Sequence, residues 1–173
     1  MCDKGILEIS PEVAKLEYCI IIPREIQEEL VEGINKLLGI EDAYIESPIP
    51  GNFPEKNPGG RNTIRITKGR NARWGSVICS FSLGEFPGCC GTLISYHQQV
   101  GFDFRQKGIS NFLQKIKEKI ARYNSFSSLI CTTVEGNSVE RHILEKHGWR
   151  ETGRFKNINS GNTVLYYTKD LNE

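Results

Sequence analysis

The spacing of apolar residues changes abruptly near residue 100, and this change constrains the fold more than any other feature. Up to Val100 the pattern alternates, the period of a strand with one buried face. From Ile109 the apolar residues recur every three or four positions, with Ile109, Phe112, Leu113, Ile116 and Ile120 on one helical face. Lys115, Lys117, Lys119 and Arg122 are expected mostly outside that face. Between the two patterns lies Arg105-Gln106-Lys107-Gly108-Ile109-Ser110. A glycine where a strand turns into a helix lets backbone N–H groups converge on one spot with no side chain in the way. The helix dipole adds positive potential, so such a turn suits a phosphate or pyrophosphate. Taken alone, the run equally fits a helix start with a tolerated glycine.

The remaining elements follow from period and punctuation. Leu16 to Ile22 is rich in β-branched residues and predicts a first strand. Pro23 opens a helix with Ile26, Leu30, Ile34 and Leu37 on one stripe, and Gly39 stops it. Four prolines and three glycines between Ser47 and Gly60 predict an irregular loop. Asn62 to Thr67 and Trp74 to Leu83 alternate, the second with Val77, Cys79, Phe81 and Leu83 on one face. Gly91 to Val100 is a strand with Thr92, Ile94, Tyr96 and Gln98 opposing Leu93, Ser95, His97 and Gln99. After the helix come a strand from Ser127 to Val134, a short helix from Asn137 to His147 broken at Gly148, and strands Trp149 to Lys156 and Thr163 to Thr168. This order predicts one mixed α/β domain over residues 1–173, built on a single sheet.

Bulk properties narrow the partners. A net charge of +1 gives no general argument for nucleic acid or a membrane surface. The start, Met1-Cys2-Asp3-Lys4-Gly5, lacks the basic-then-apolar build of a secretory signal. The stretch around Cys19-Ile20-Ile21-Ile22 is too short to span a bilayer. The six cysteines include no C-x-x-C pair, so neither a zinc site nor a disulfide framework is expected, and no metal. These features predict a cytoplasmic protein with reduced cysteines.

Two segments in this order carry a family resemblance. Val100-Gly101-Phe102-Asp103-Phe104-Arg105-Gln106-Lys107-Gly108-Ile109-Ser110 resembles the motif V-x-P-x-x-[RQ]-x-x-G-x-[GA] of the GNAT superfamily of acetyl-coenzyme-A-dependent N-acyltransferases. Asn137-Ser138-Val139-Glu140-Arg141-His142-Ile143-Leu144-Glu145-Lys146-His147-Gly148-Trp149 resembles its second motif, N-x-x-A-x-x-L-Y-x-K-x-G-F. The spacing leaves room for one helix and one strand, as in that family. The match covers residues from about 61 to 170, and the first sixty only by element order. Phe102 replaces the usual proline, and Ser110 a glycine or alanine. Leu144 stands where many members carry a proton-donating tyrosine, and Thr132 where one subgroup carries a glutamate base.

The resemblance implies a GNAT-like fold, a mostly antiparallel mixed sheet flanked by helices, with acetyl-CoA as co-substrate. It implies that the strands ending at Val100 and Val134 splay apart, so that Gln98, Gln99 and Val100 pair with the pantetheine arm. The amides of Gln106, Lys107, Gly108, Ile109 and Ser110, with Arg105, would hold the pyrophosphate. Asn137 would bond the cofactor arm, and it also suits a helix N-cap. A backbone N–H near Val100 would polarise the thioester carbonyl. The implied reaction is direct transfer to a primary amine on a small molecule or peptide.

With Thr132 and Leu144 at the usual base and acid positions, the candidates for proton acceptor are His97 and Glu135. His97 is favoured, because an imidazole titrates near neutral pH. Tyr166 and Tyr167 are alternative proton donors, against a packing role. The stretch from Lys56 to Arg73 holds six basic residues and no acidic one. It reads as a solvated hairpin or as an RNA contact. Two rival functions therefore stand beside the acetyltransferase: a catalytically silent coenzyme-A-binding module, and an RNA-directed acetyltransferase.

Overall fold

The structure, a computed structural model, describes residues 20–45, 62–69, 77–86 and 91–172. The proline-rich loop, the residues Leu16 to Cys19, Trp74 to Ser76 and most of the basic stretch lie outside the described residues. Within them, helix α1 (Arg24–Leu38) is followed by strands β1 (Ala43–Ile45), β2 (Asn62–Lys68), β3 (Val77–Glu85) and β4 (Thr92–Val100). Helix α2 (Ile109–Tyr123), strand β5 (Ser128–Val134), helix α3 (Ser138–Lys146) and strands β6 (Arg150–Lys156) and β7 (Thr163–Asp170) complete the order. The seven strands form one sheet, β1-β2-β3-β4-β5-β7-β6, flanked by the three helices. Every neighbouring pair is antiparallel except β4 and β5.

Periodicity explains most of this. Ile26, Leu30 and Ile34 of α1 and Ile109, Leu113, Ile116 and Ile120 of α2 all point inward, as their spacing requires. They meet Ile64, Ile66, Phe81, Leu83, Leu93, Leu129, Leu165 and Tyr167 from the sheet in one core cluster. The exposed ion pair Lys119–Glu29 (2.6 Å) links α2 to α1, and Lys169 Nζ joins β7 to Glu118 of α2 at 2.7 Å.

Four expectations are corrected. Residues 20–22 are not in a strand; the Ile21 backbone is instead gripped by the Asn124 side chain, which accepts its N–H at 2.8 Å and donates to its carbonyl at 2.7 Å. Strand β1 is an addition to the expected order, because three residues are too few to show an alternation. Lys117 is not outside the helix face but buried, 2% exposed, among the inward side chains of α2. Finally, the alternation of β4 breaks. Tyr96 pairs with Ser82 but Gln99 pairs with Ser80, so two residues, His97 and Gln98, stand opposite Phe81 alone. This is a β-bulge, with His97 in the left-handed region at φ 48°. It reverses the facing of every residue after it, which puts Gln98 on the α2 side together with Leu93 and Ser95.

Candidate functional site

The parallel pair β4–β5 creates a gap. Its ladder runs Thr92↔Ser128, Leu93↔Leu129, Ile94↔Ile130 and Ser95↔Cys131, then stops. Beyond that point β4 continues to Val100 along β3, and β5 continues to Val134 along β7. The backbone edge of Gln98 to Val100 therefore faces the edge of Thr132 to Val134 without a strand between them. In open α/β sheets, such a crevice at the carboxyl ends of parallel strands is where ligands bind.

Two helices start at this same end, and their starts differ. The N-cap of α2 is Gly108, which has no side chain to cap with; its φ is 83°. An added Cβ would meet only Leu37 Cδ2 at 3.7 Å, so backbone conformation, not space, demands glycine there. The first helical bond is Phe112 N–H to the Gly108 carbonyl at 3.1 Å, so the amides of Ile109, Ser110 and Asn111 have no helical acceptor. Gln106, at φ 61°, curls the preceding loop, from which exposed Arg105 and Lys107 project. Arg105 Nε donates to the Val100 carbonyl at 3.3 Å, and its guanidinium lies 5.4 Å from the centre of the exposed Phe102 ring. In α3, by contrast, Asn137 Oδ1 accepts the Glu140 N–H at 3.2 Å.

Gly101 closes the end of β4 by close approach. Its N–H donates to the Ile78 carbonyl at 2.8 Å, and a Cβ would lie 2.4 Å from the Val77 carbonyl oxygen. Any side chain would force β4 off β3 just where the loop must begin.

The structure places the sequence-predicted residues as follows. Gln98, Gln99 and Val100 line one edge of the gap, Gln106 to Ser110 form the loop and helix start, and Asn137 begins the opposite helix. His97 is exposed on the bulge, its ring stacked with that of Tyr96 at 6.2 Å rather than facing away from it. Glu135 follows β5 and is exposed, with Oε1 accepting from Arg154 Nη1 at 3.2 Å. Leu144 is buried, 1% exposed, so α3 aims it into the core. Tyr167 is buried as well, its hydroxyl donating to Glu145 Oε1 at 3.2 Å and accepting from Arg141 Nε at 3.4 Å. Tyr166 packs against Phe155 with ring centres 5.3 Å apart. Of the basic stretch, Arg65 and Lys68 lie on β2.

Under the gap lies a polar group that periodicity concealed. Lys117 Nζ donates to Gln98 Oε1 at 2.5 Å and sits 5.6 Å from the centre of the Phe81 ring. Gln114 Nε2, one turn earlier, donates to the same oxygen at 3.2 Å. Burial pushes the Lys117 ammonium down to about 8, against the opposing pull of Cys131, Glu140 and Cys79. The same burial raises the thiols of Cys79 and Cys131 to about 12 and holds the Glu140 carboxyl above its ordinary value. Among the described residues, no group of three or more His, Cys, Asp or Glu is arranged so that it could hold a metal ion.

No protein-family model and no curated protein sequence matches the chain. Solved structures do match. An IAA acetyltransferase from Bacillus cereus superposes with a TM-score of 0.57 at 17% identity, over 74% of this chain and 99% of that one. The chain has the GNAT fold. A GNAT-family acetyltransferase from Bacillus anthracis gives a TM-score of 0.54 at 17% identity, covering 64% of this chain and 67% of that one. A Salmonella typhimurium protein solved with its cofactor acetyl-CoA gives 0.52 at 16% identity, covering 64% of this chain and 66% of that one. Among the described residues, no helix of this GNAT-fold chain is long and apolar enough to cross a membrane.

Proposed function

We propose that this protein is a GNAT-superfamily N-acetyltransferase that moves the acetyl group of acetyl-CoA directly to a primary amine. The observation that carries the reading is the stop of the β4–β5 ladder at Ser95↔Cys131 beside the bare helix start at Gly108. The donor set fits coenzyme A. Amides of Ile109, Ser110 and Asn111 without helical acceptors suit a pyrophosphate, and Arg105 and Lys107 add positive charge. The backbone edge of Gln98 to Val100 suits an arm that carries amide groups, by the same pairing that builds sheets. Asn137 spends its side-chain oxygen on the α3 cap, which leaves its amide nitrogen for that arm.

When bound, acetyl-CoA supplies an activated acyl group with a thioester carbonyl. A backbone N–H near Val100 polarises that carbonyl where negative charge develops. His97 takes the proton of the incoming amine, directly or through a water, from its exposed position on the bulge. Glu135 is the second candidate, and its carboxylate is engaged by Arg154 at 3.2 Å. Holding amine and thioester together supplies much of the rate in a reaction without a covalent intermediate.

Two measurements test this. Polyamines, aminoglycosides, amino acids, N-terminal peptides and tRNA are screened with acetyl-CoA by thiol release; at least one amine is expected to turn over. Gly108→Val places a β-branched residue at φ 83°, which strains the turn that presents the free amides, so coenzyme A affinity should fall about tenfold or more. Unchanged affinity in a variant with native circular dichroism overturns the cofactor site. Affinity for coenzyme A without turnover of any amine leaves the binding-module reading.

A further inference from the structure

A left-handed non-glycine residue inside a strand persists only where its surroundings over-determine it. His97 is such a residue, at φ 48°, and the contacts that hold its neighbour Gln98 come from α2. Gln98 turns its carbonyl oxygen inward, where two donors from successive turns of one helix converge on it: Lys117 Nζ at 2.5 Å and Gln114 Nε2 at 3.2 Å. Lys117 is the only lysine on the buried face of α2, and its ammonium lies over the Phe81 ring, the residue that the bulge skips in the β3 ladder. Gln114 Oε1 is buried without a partner, a further sign that this residue is oriented for its amide nitrogen. Burying a lysine is costly, and a core made only to be stable would carry a leucine or methionine here.

We infer that Lys117 is a positioning residue, which with Gln114 clamps Gln98 to α2 and holds the bulged end of β4 with its backbone edge turned into the gap. The clamp ties the two halves of the proposed cofactor site together. The helix whose start presents amides to the phosphates is the helix that aims the backbone at the thioester carbonyl. This inference rests on the acetyl-CoA reading and adds a residue that touches neither cofactor nor substrate.

The test reads the carbonyl itself. Isotope-edited infrared spectra of acetyl-CoA labelled with ¹³C at the thioester carbonyl are compared free, bound to wild type, and bound to Lys117→Met. In wild type the band should move to lower wavenumber on binding, and in Lys117→Met that shift should be lost while affinity stays within about twofold. Turnover should fall about tenfold or more, in kcat rather than KM. A purely structural lysine would change stability and leave the band where it was. A full shift in folded Lys117→Met overturns the inference, whereas failure of wild type to bind acetyl-CoA overturns the parent reading. If Lys117→Met does not fold, the double variant Lys117→Met/Gln98→Leu removes the unpaired glutamine oxygen and is read in the same way. Loss of the shift there supports the clamp, and its retention removes it.

Discussion

The two halves of β4 obey different rules. From Thr92 to Ser95 the strand is hydrogen-bonded on both sides, to β3 and to β5, and its buried residues alternate as expected. From His97 to Val100 it keeps β3 alone, bulges once, and exposes His97 and Gln99. The first half is specified by burial, which any alternating apolar sequence can supply. The second half is specified by contacts from elsewhere, Gln98 with Lys117 and Gln114 beneath, and Gly101 with Ile78 at its end. A strand can therefore be doubly paired scaffold for half its length and an open edge, here the proposed binding edge, for the rest, and the dividing line is the point where its parallel neighbour leaves.

The largest effect should separate the halves by stability. Leu93 is fully buried in the doubly paired half, so Leu93→Ala removes packed methyl groups and leaves a cavity. It should cost about 3 kcal/mol in denaturant unfolding. Gln99, exposed on the gap edge, should tolerate Gln99→Ala within about 0.5 kcal/mol. Equal costs would show that the second half is as much core as the first.

Activity should separate them in the opposite sense. His97→Gln removes the proposed proton acceptor and should lower kcat about a hundredfold, with coenzyme A affinity nearly unchanged. The basic limb of the pH–rate profile should persist, since it reflects the amine substrate. Near-normal kcat would reject His97 and turn attention to Glu135 or to a water chain.

Legibility in the sequence divides along the same line. The helices and most strands can be read because each buries one face, and Ile109, Leu113, Ile116 and Ile120 announce theirs directly. The loop at Gly108 can be read because a strand-to-helix change around a glycine has few physical solutions. The bulge cannot, since nothing in Ser95-Tyr96-His97-Gln98 interrupts an alternating pattern and the contacts that hold it lie in α2. Lys117 is hidden for the opposite reason. A lysine in an amphipathic helix belongs in water by every local rule, and its burial depends on an acceptor nineteen residues earlier. A weak signal exists in the helical spacing itself. Leu113, Ile116, Lys117 and Ile120 share one stripe, which sets the lysine among core positions.

The smallest effect concerns that lysine and depends on pH. Its folded value near 8 lies below the ordinary value of 10.5, because burial disfavours the ammonium. Below pH 8 both folded and unfolded chains carry the proton, so the full cost of a buried charge weighs on the fold. Above pH 8 the folded chain releases the proton while the unfolded chain still holds it, so stability rises with pH. Between about pH 8 and 9 wild type should gain about 1 kcal/mol relative to Lys117→Met. Cys79 and Cys131 act against this from about pH 9, the ordinary value of an exposed thiol. Their folded values near 12 keep the proton that the unfolded thiols lose, which lowers stability as pH rises. In the difference between wild type and Lys117→Met the thiol contribution cancels up to about pH 9: removing the lysine takes away a pull that lowers both thiols, and the folded thiols stay protonated in either protein. Denaturant midpoints at about pH 7, 8 and 9 measure it. A flat difference across that range would mean that Lys117 reaches water in solution, and the clamp beneath the second half of β4 would then be open.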